Sequence, residues 1–211
     1  MKAVLVCNGS VSDYNSIKKF ISNSDYIISV DGGAGHLRKM GIRPNILIGD
    51  FDSADSEDLK FFIDQDIEVF KFKIEKDKTD SELAIEKALE IGADELLFIG
   101  AIGSRVDHSF ANILLLKKLL DIGVKACVAD ENNQIYMFNT TFTLQKVDGY
   151  KLSLIPISEM VTGVTTKGLK YKLDDATITF GTTWGVSNEF LDDSVTVTIE
   201  DGILLVCVSK D

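Results

Sequence analysis

Four short apolar runs in this chain each lead into a loop that carries carboxylates or mixed charge. Tyr26–Val30 leads into Asp31-Gly32-Gly33, Asn45–Gly49 into Asp50-Phe51-Asp52-Ser53, Ile67–Phe70 into Lys76-Asp77-Lys78-Thr79-Asp80, and Glu95–Ile99 into the loop from Gly100 to His108. Runs of this kind alternating with helices make a parallel sheet. In such a sheet the strand C-termini share one edge, and ligands bind there. Acids distant in sequence would then gather in one place, where they repel one another unless a cation sits among them. Oxygen-only ligands favour a hard cation, and Mg2+ commonly arrives with a phosphate.

The elements that would position these loops are legible up to about Ala129. Strand candidates are Ala3–Cys7, Tyr26–Val30, Ile46–Ile48, Ile67–Phe70, Leu96–Ile99 and Lys125–Val128. Between them, Ser81–Ile91 puts Leu83, Ala84, Ala88 and Ile91 on one helical stripe, and Ser109–Ile122 is a second, more apolar helix. Gly41, Gly92 and Gly123 follow helices where a terminating glycine belongs. After Asp130-Glu131-Asn132-Asn133 the helical periodicity stops. Short runs rich in Thr, Val, Ile, Phe and Tyr follow, with Asp148-Gly149 and Asp201-Gly202 read as hairpin turns. The expected fold class is therefore α/β: a Rossmann-like parallel sheet with flanking helices over residues 1–131, then an all-β sandwich over 132–211.

Composition narrows the function classes. The chain has 211 residues, is 45% hydrophobic and carries a formal net charge of −11. That is ample for a core, while the acidity disfavours a nucleic-acid partner, since a phosphate backbone needs a basic surface. A free nucleotide is different, because a divalent metal supplies the positive charge. No apolar run is long enough to span a bilayer, and the N-terminus reads as a first strand rather than a signal peptide. Cys7, Cys127 and Cys207 are far apart and lack metal-ligand spacing, which suits a reducing, cytoplasmic setting.

Each charged loop has a structural reading beside the chemical one. In an extended loop Asp50 and Asp52 would face the same side and Phe51 the core, though Asp52 or Asp55 could instead cap the next helix. Asp77 or Thr79 is a plausible helix cap, yet Lys76 and Lys78 beside Asp77 and Asp80 at a helix start also suit a triphosphate, with Asp80 on its metal. The glycine-containing turn before Arg105 and Asp107 lacks the Gly-Lys-Ser/Thr ending of a Walker loop. There Arg105 would grip phosphate and Asp107 orient a substrate hydroxyl or amine, or else Asp107 caps the helix and Arg105 is solvated. His108 reads as structural. In the second half, Tyr171 offers a flat face to an aromatic ligand, or is an ordinary loop aromatic.

Together these motifs resemble the thiamine pyrophosphokinase family. Asp31-Gly32-Gly33, Gly49-Asp50-Phe51-Asp52-Ser53, Asp77-Lys78-Thr79-Asp80, Arg105-Val106-Asp107-His108, Gly168-Leu169-Lys170-Tyr171 and Ser187-Asn188-Glu189 occur in the family's order and spacing. The resemblance implies transfer of the pyrophosphoryl group of ATP to the hydroxyl of thiamine, with release of AMP. It implies a nucleotide-binding catalytic domain, a thiamine-binding β domain, and a homodimer holding thiamine between subunits. By position, Asp50, Asp52 and Asp80 fall where the family holds Mg2+, with Asp31 nearby. Asp77, Thr79 and Arg105 fall at the nucleotide phosphates, Asp107 at the thiamine pyrimidine, Tyr171 where a ring stacks on it, and Ser187 and Asn188 in the thiamine pocket. Two residues depart from the pattern: Ser104 where Gly is common, and Lys172 where bacterial relatives often carry Pro. Either Asp80 or Asp107 would take the hydroxyl proton. The rival readings are a kinase of the same layout acting on another small alcohol, and a non-catalytic nucleotide-binding module.

Overall fold

The computed structural model describes residues 1–52, 54–72 and 77–211, so Ser53 and Lys76, both in the charged loops above, lie outside the described residues. The chain divides into two compact units, Met1–Glu131 and Asn132–Asp211.

The first unit is a wound α/β layer structure. Its strands are β1 (Lys2–Val6), β2 (Tyr26–Val30), β3 (Ile46–Gly49), β4 (Glu68–Lys71), β5 (Glu95–Ile99) and β6 (Lys125–Ala129). They lie in the order β6-β5-β1-β2-β3-β4, every described pairing parallel. The interiors of β1, β3 and β5 are continuous buried apolar runs, as strands covered on both faces require, whereas the edge strand β4 is largely exposed. The connecting helices are α1 (Tyr14–Ile21), α2 (Gly33–Met40), α3 (Ser56–Ile63), α4 (Asp80–Glu90) and α5 (Val106–Asp121). Ile17 and Ile21 of α1, Leu37 and Met40 of α2, and Phe62 of α3 pack into one core with Val4, Val6, Leu47, Leu97 and Ile99 of the sheet. Helix α4 packs on β1, β2 and β3, and α5 on β6. The chain runs outward from β1 through β4, then returns to β5 on the other side of β1. The order therefore reverses between β1 and β5, and that reversal opens a crevice at the strand C-termini.

Local chemistry sets the helix ends. The Asp13 carboxylate accepts from the Asn15 and Ser16 N–H groups at the start of α1. Asp55 does the same for α3 with Glu57 and Asp58, and the Thr79 hydroxyl caps α4 through the Glu82 N–H. Helix α2 ends at Gly41, whose φ of 65° lets its N–H bond back to the Arg38 carbonyl.

The second unit is a sandwich of two antiparallel sheets. One has the order β12 (Asn188–Glu189), β9 (Lys151–Pro156), β14 (Leu204–Ser209), β7 (Asn133–Phe138). The other has the order β11 (Ala176–Thr179), β10 (Met160–Lys167), β13 (Ser194–Thr198), β8 (Thr141–Gln145). Leu152, Leu154, Leu204 and Val206 of the first sheet share one buried cluster with Val161, Val164, Val195 and Val197 of the second. The expected α/β-plus-sandwich class matches this architecture, but the two hairpins do not exist. Asp148-Gly149 joins β8 to β9 and Asp201-Gly202 joins β13 to β14, and in each case the flanking strands belong to different sheets. Both glycines have the positive φ of a tight turn, and an Asp-Gly pair encodes the turn without encoding which strands pair. No helix among the described residues is long and apolar enough to cross a membrane.

Gly33 opens α2 so close to β1 that a Cβ there would overlap the Val6 carbonyl oxygen, whereas a Cβ at Gly41 would meet open space. Gly33→Ala should therefore destabilise by about 1–3 kcal/mol through forced displacement of backbone. Gly41→Ala should cost only the strain of its left-handed conformation, about 1–2 kcal/mol. Urea denaturation checks the contrast: the Gly33 variant should also disturb the folded baseline by near-UV circular dichroism, and the Gly41 variant should not.

Candidate functional site

The crevice between β1 and β5 is a cavity of about 740 Å3. The strand ends contribute Cys7–Gly9 after β1, Val30 and Asp31 at β2, Asp50 after β3 and Gly100–Ala101 after β5. The starts of two helices close it, with Lys78–Ser81 at α4 and Arg105, Asp107, His108, Ser109, Ala111 and Asn112 around the first turns of α5. Cys7, Asn8 and Gly9 were not expected here, because the β1 loop carries no acid. The strand-end argument applied to β1 as well as to its neighbours would have found them.

Asp31, Asp50 and Asp52 each offer a carboxylate oxygen, and these oxygens lie within 4.8 Å of one another. The route to this cluster is not the extended loop expected from the sequence. Phe51 takes φ 62° and the Asp52 N–H donates to Asp50 Oδ1 at 3.1 Å, so the two acids meet across a tight turn. Phe51 does pack against the core as its spacing suggested. With Asp55 capping α3, Asp52 has no cap role. Asp31 is brought over by its own left-handed backbone, φ 49°, and by its N–H donating to the Ile48 carbonyl at 2.7 Å. Gly49 permits that approach, since a Cβ there would sit 3.1 Å from Asp31 Cα. Bulkier residues pay about 1–3 kcal/mol for such conformations, and they collect at functional sites. An all-oxygen set of this kind fits a hard divalent cation. Asp80 lines the same cavity with Asp31 and Asp50 but stands outside the three-acid cluster, and Asp77 is exposed and does not line the cavity.

The remaining charged groups sit at the two helix starts. Lys78 donates to Glu86 Oε1 at 2.6 Å, and Thr79 Oγ1 accepts from the Glu82 N–H at 3.3 Å. Arg105 is not merely solvated. Its guanidinium forks onto Asp107, Nη2 to Oδ2 at 2.6 Å and Nε to Oδ1 at 3.2 Å. That pair holds the Asp107 carboxyl below the usual range and raises the guanidinium. The turn before it is fixed by Ser109, whose hydroxyl accepts from the Gly103 N–H at 3.0 Å and donates to the Arg105 carbonyl at 2.9 Å. Asn112 ties Ala101 in the same way, its amide donating to the carbonyl at 2.8 Å. Ser104 is not among the residues of positive φ, so a side chain there strains nothing. His108 borders the cavity, exposed. Cys7, at the end of β1, is buried with its thiol pushed up to about 11 by desolvation, which leaves it protonated and unreactive at neutral pH.

Tyr171, Ser187 and Asn188 belong to the second unit. The Tyr171 ring is 58% exposed, while Asn188 is 5% exposed. Asn188 clamps the backbone of Tyr171 from both sides: its Oδ1 accepts from the Tyr171 N–H at 3.0 Å and its Nδ2 donates to the Tyr171 carbonyl at 2.7 Å. Both polar atoms of the Asn188 side chain thus grip the residue that presents the ring. Ser187 has φ 62°, with its N–H on Ser153 Oγ at 2.9 Å. Lys170, paired to Glu189 at 2.8 Å, lies 5.5 Å from the Tyr171 ring centre.

Residues 17–128 match the family described as thiamin pyrophosphokinase, catalytic domain, and residues 139–204 match thiamin pyrophosphokinase, vitamin B1 binding domain. Thiamine pyrophosphokinase of Bacillus subtilis is 34% identical over 186 residues, 87% of each chain. The chain belongs to the thiamine pyrophosphokinase family. The crystal structure of thiamine pyrophosphokinase from Bacillus subtilis superposes with a TM-score of 0.91 at 30% identity, covering all of both chains. That of thiamin pyrophosphokinase from Geobacillus thermodenitrificans gives 0.88 at 33% identity, covering 100% of this chain and 98% of that one. Within this thiamine pyrophosphokinase relative, the cavity acids fall in the catalytic-domain match, and Tyr171, Ser187 and Asn188 in the vitamin B1 binding match.

Asn188→Ala removes a buried two-way bridge. It should cost about 1–3 kcal/mol of stability through unpaired backbone groups. If the Tyr171 ring meets substrate, the same variant should raise KM for that substrate more than it lowers kcat, which steady-state kinetics beside urea denaturation would report.

Proposed function

We propose that this chain transfers the pyrophosphoryl group of ATP to the hydroxyl of thiamine, giving thiamine diphosphate and AMP, and that the crevice of the first unit is where ATP is activated. One observation carries the reading: of three carboxylates within 4.8 Å of one another, Asp31 and Asp50 line the crevice together with Asp80, Lys78, Arg105 and two helix N-termini, and Asp52 adjoins them from outside its wall. ATP is strongly anionic, and a neutral hydroxyl attacks its β-phosphorus only when that charge is countered. Asp50 and Asp52, with Asp31, would hold Mg2+, and Asp80 is assigned as a further ligand from α4. When bound, the ion draws charge from the phosphate oxygens and orients them.

The chain's own groups do the rest. The N-termini of α4 and α5 present backbone N–H groups and a positive dipole end to the phosphates. Because Asp77 stands outside the cavity wall, the phosphate contacts fall to Lys78, Thr79 and Arg105. Arg105 keeps Asp107 anionic, which suits a carboxylate that accepts hydrogen bonds from an aminopyrimidine such as thiamine's. As the receiver of the hydroxyl proton we assign Asp80 rather than Asp107, since the Arg105 guanidinium lowers the affinity of the Asp107 carboxylate for a proton. In the second unit, the exposed Tyr171 ring is assigned to stack on thiamine, with Ser187 beside it and Asn188 holding the ring in place.

A homodimer is part of the proposal. Val106 (78% exposed), Phe110 (57%) and Leu114 (39%) follow one another at every fourth position of α5 and form an apolar stripe. A second copy covering that stripe would relieve its exposure. A cytoplasmic setting agrees with the three free cysteines.

Incubation with ATP, Mg2+ and thiamine, followed by mass analysis, should give thiamine diphosphate and AMP; ADP, or no thiamine product, counts against the assignment. Asp52→Asn should cut turnover by about 10²–10³-fold, the scale of losing one electrostatic element of a transition state, with an unchanged melting curve. EDTA should abolish activity and Mg2+ restore it. Light scattering should give twice the chain mass, and Phe110→Asp should halve it.

A further inference from the structure

We propose that His36 is a positioning residue for this cavity: its imidazole N–H holds the Gly9 carbonyl, and through Gly9 it fixes the β1 loop against the loop that carries Arg105 and Asp107. The inference rests on the reading of the cavity as the place where ATP reacts.

His36 lies on α2, half-buried, and does not line the cavity, so it is not a catalytic residue. Its Nε2 is 2.7 Å from the Gly9 carbonyl oxygen and its Nδ1 is 3.0 Å from the Tyr14 hydroxyl. A carbonyl oxygen only accepts, so Nε2 must carry the hydrogen. In the neutral ring Nδ1 then accepts from Tyr14, which selects that tautomer. Burial holds the imidazole pKa below its ordinary value, in keeping with a neutral ring.

Gly9 is the junction of the crevice. Its N–H donates to the Gly100 carbonyl at 2.6 Å, and the next residue, Ser10, donates to the Ile102 carbonyl at 2.9 Å. A Cβ on Gly9 would overlap both of those carbonyl oxygens, and one on Gly103 would lie 3.2 Å from Gly9 Cα. The two loops therefore touch backbone to backbone, with no side chain between them to absorb a shift. A Cβ on Gly32, just before α2, would likewise run into the Asn8 side chain. A single imidazole thus ties α1, through Tyr14, and α2, which starts just after Asp31, to the strand-end loops on both sides of the sheet reversal. Losing the Nε2 donor removes the hold that α2 has on Gly9. Small displacements of a reacting group are costly, on the order of 100-fold for about 1 Å.

Steady-state kinetics and melting curves of His36→Leu, His36→Gln and Tyr14→Phe, with Asp50→Asn as reference, test this. His36→Leu keeps an apolar side chain of useful size and loses the donor. It should lower kcat by about 10- to 100-fold, with KM for ATP and thiamine changed by less than about threefold. His36→Gln, whose amide supplies an N–H at a similar reach, should recover most of that loss, and Tyr14→Phe should fall between. If His36→Leu does not fold, Tyr14→Phe carries the test, and a wild-type kcat in it overturns the proposal. So does a wild-type kcat in His36→Leu while Asp50→Asn is inactive, or equal losses in the Leu and Gln variants that vanish when rates are normalised to folded protein. Normal turnover by Asp50→Asn overturns the cavity reading and this proposal together.

Discussion

Three carboxylates held within 4.8 Å of one another repel, and the rest of the first unit is arranged to keep them there. Asp31 and Phe51 both adopt left-handed backbone conformations, and the Asp31 N–H is anchored on the Ile48 carbonyl at the end of the neighbouring strand. Repulsion and strain both raise the energy of the ligand-free protein. They are sustained by the buried parallel sheet beneath, whose strands end at fixed heights because their registers are set by paired apolar residues. A cation placed among the acids, as the proposed function requires, would turn the repulsion into attraction.

The crevice owes its form to strand order more than to any loop. Because the chain winds outward from β1 and then returns beside it, the strand order reverses between β1 and β5, and the loops after both strands border the cavity. Glycines line the seam where they come back together. Gly9 and Gly100 bring main chains into direct contact, and the helix starts at α4 and α5 supply positive ends with no need for many basic side chains. This explains how a chain of net charge −11 can suit so anionic a substrate.

The second unit uses a different principle. Tyr171 is exposed, and its backbone is held on both sides by a buried asparagine of β12. Fixing the main chain that carries a ring lowers the conformational entropy that would be lost if a ligand stacked on it. Lys172, which departs from the family's pattern, need not fix the main chain at Tyr171, since Asn188 already does.

Strand-end acids, helix stripes and the change of character near Asp130 were all readable in the sequence, because each depends on residue type at a short spacing. The cap choices were half readable: Asp52 and Asp55, or Asp77 and Thr79, all carry a side-chain oxygen able to cap, and only the path of the backbone selected Asp55 and Thr79. The two Asp-Gly turns were readable as turns but not as connections between sheets, since strand pairing is a long-range choice that no turn residue encodes. Asp31 joining Asp50 and Asp52, Asp80 standing apart, Arg105 gripping Asp107 and His36 reaching Gly9 were decided by tertiary structure alone. Each depends on side chains brought together from separate elements, and such distances are set by packing of the whole sheet rather than by any local pattern.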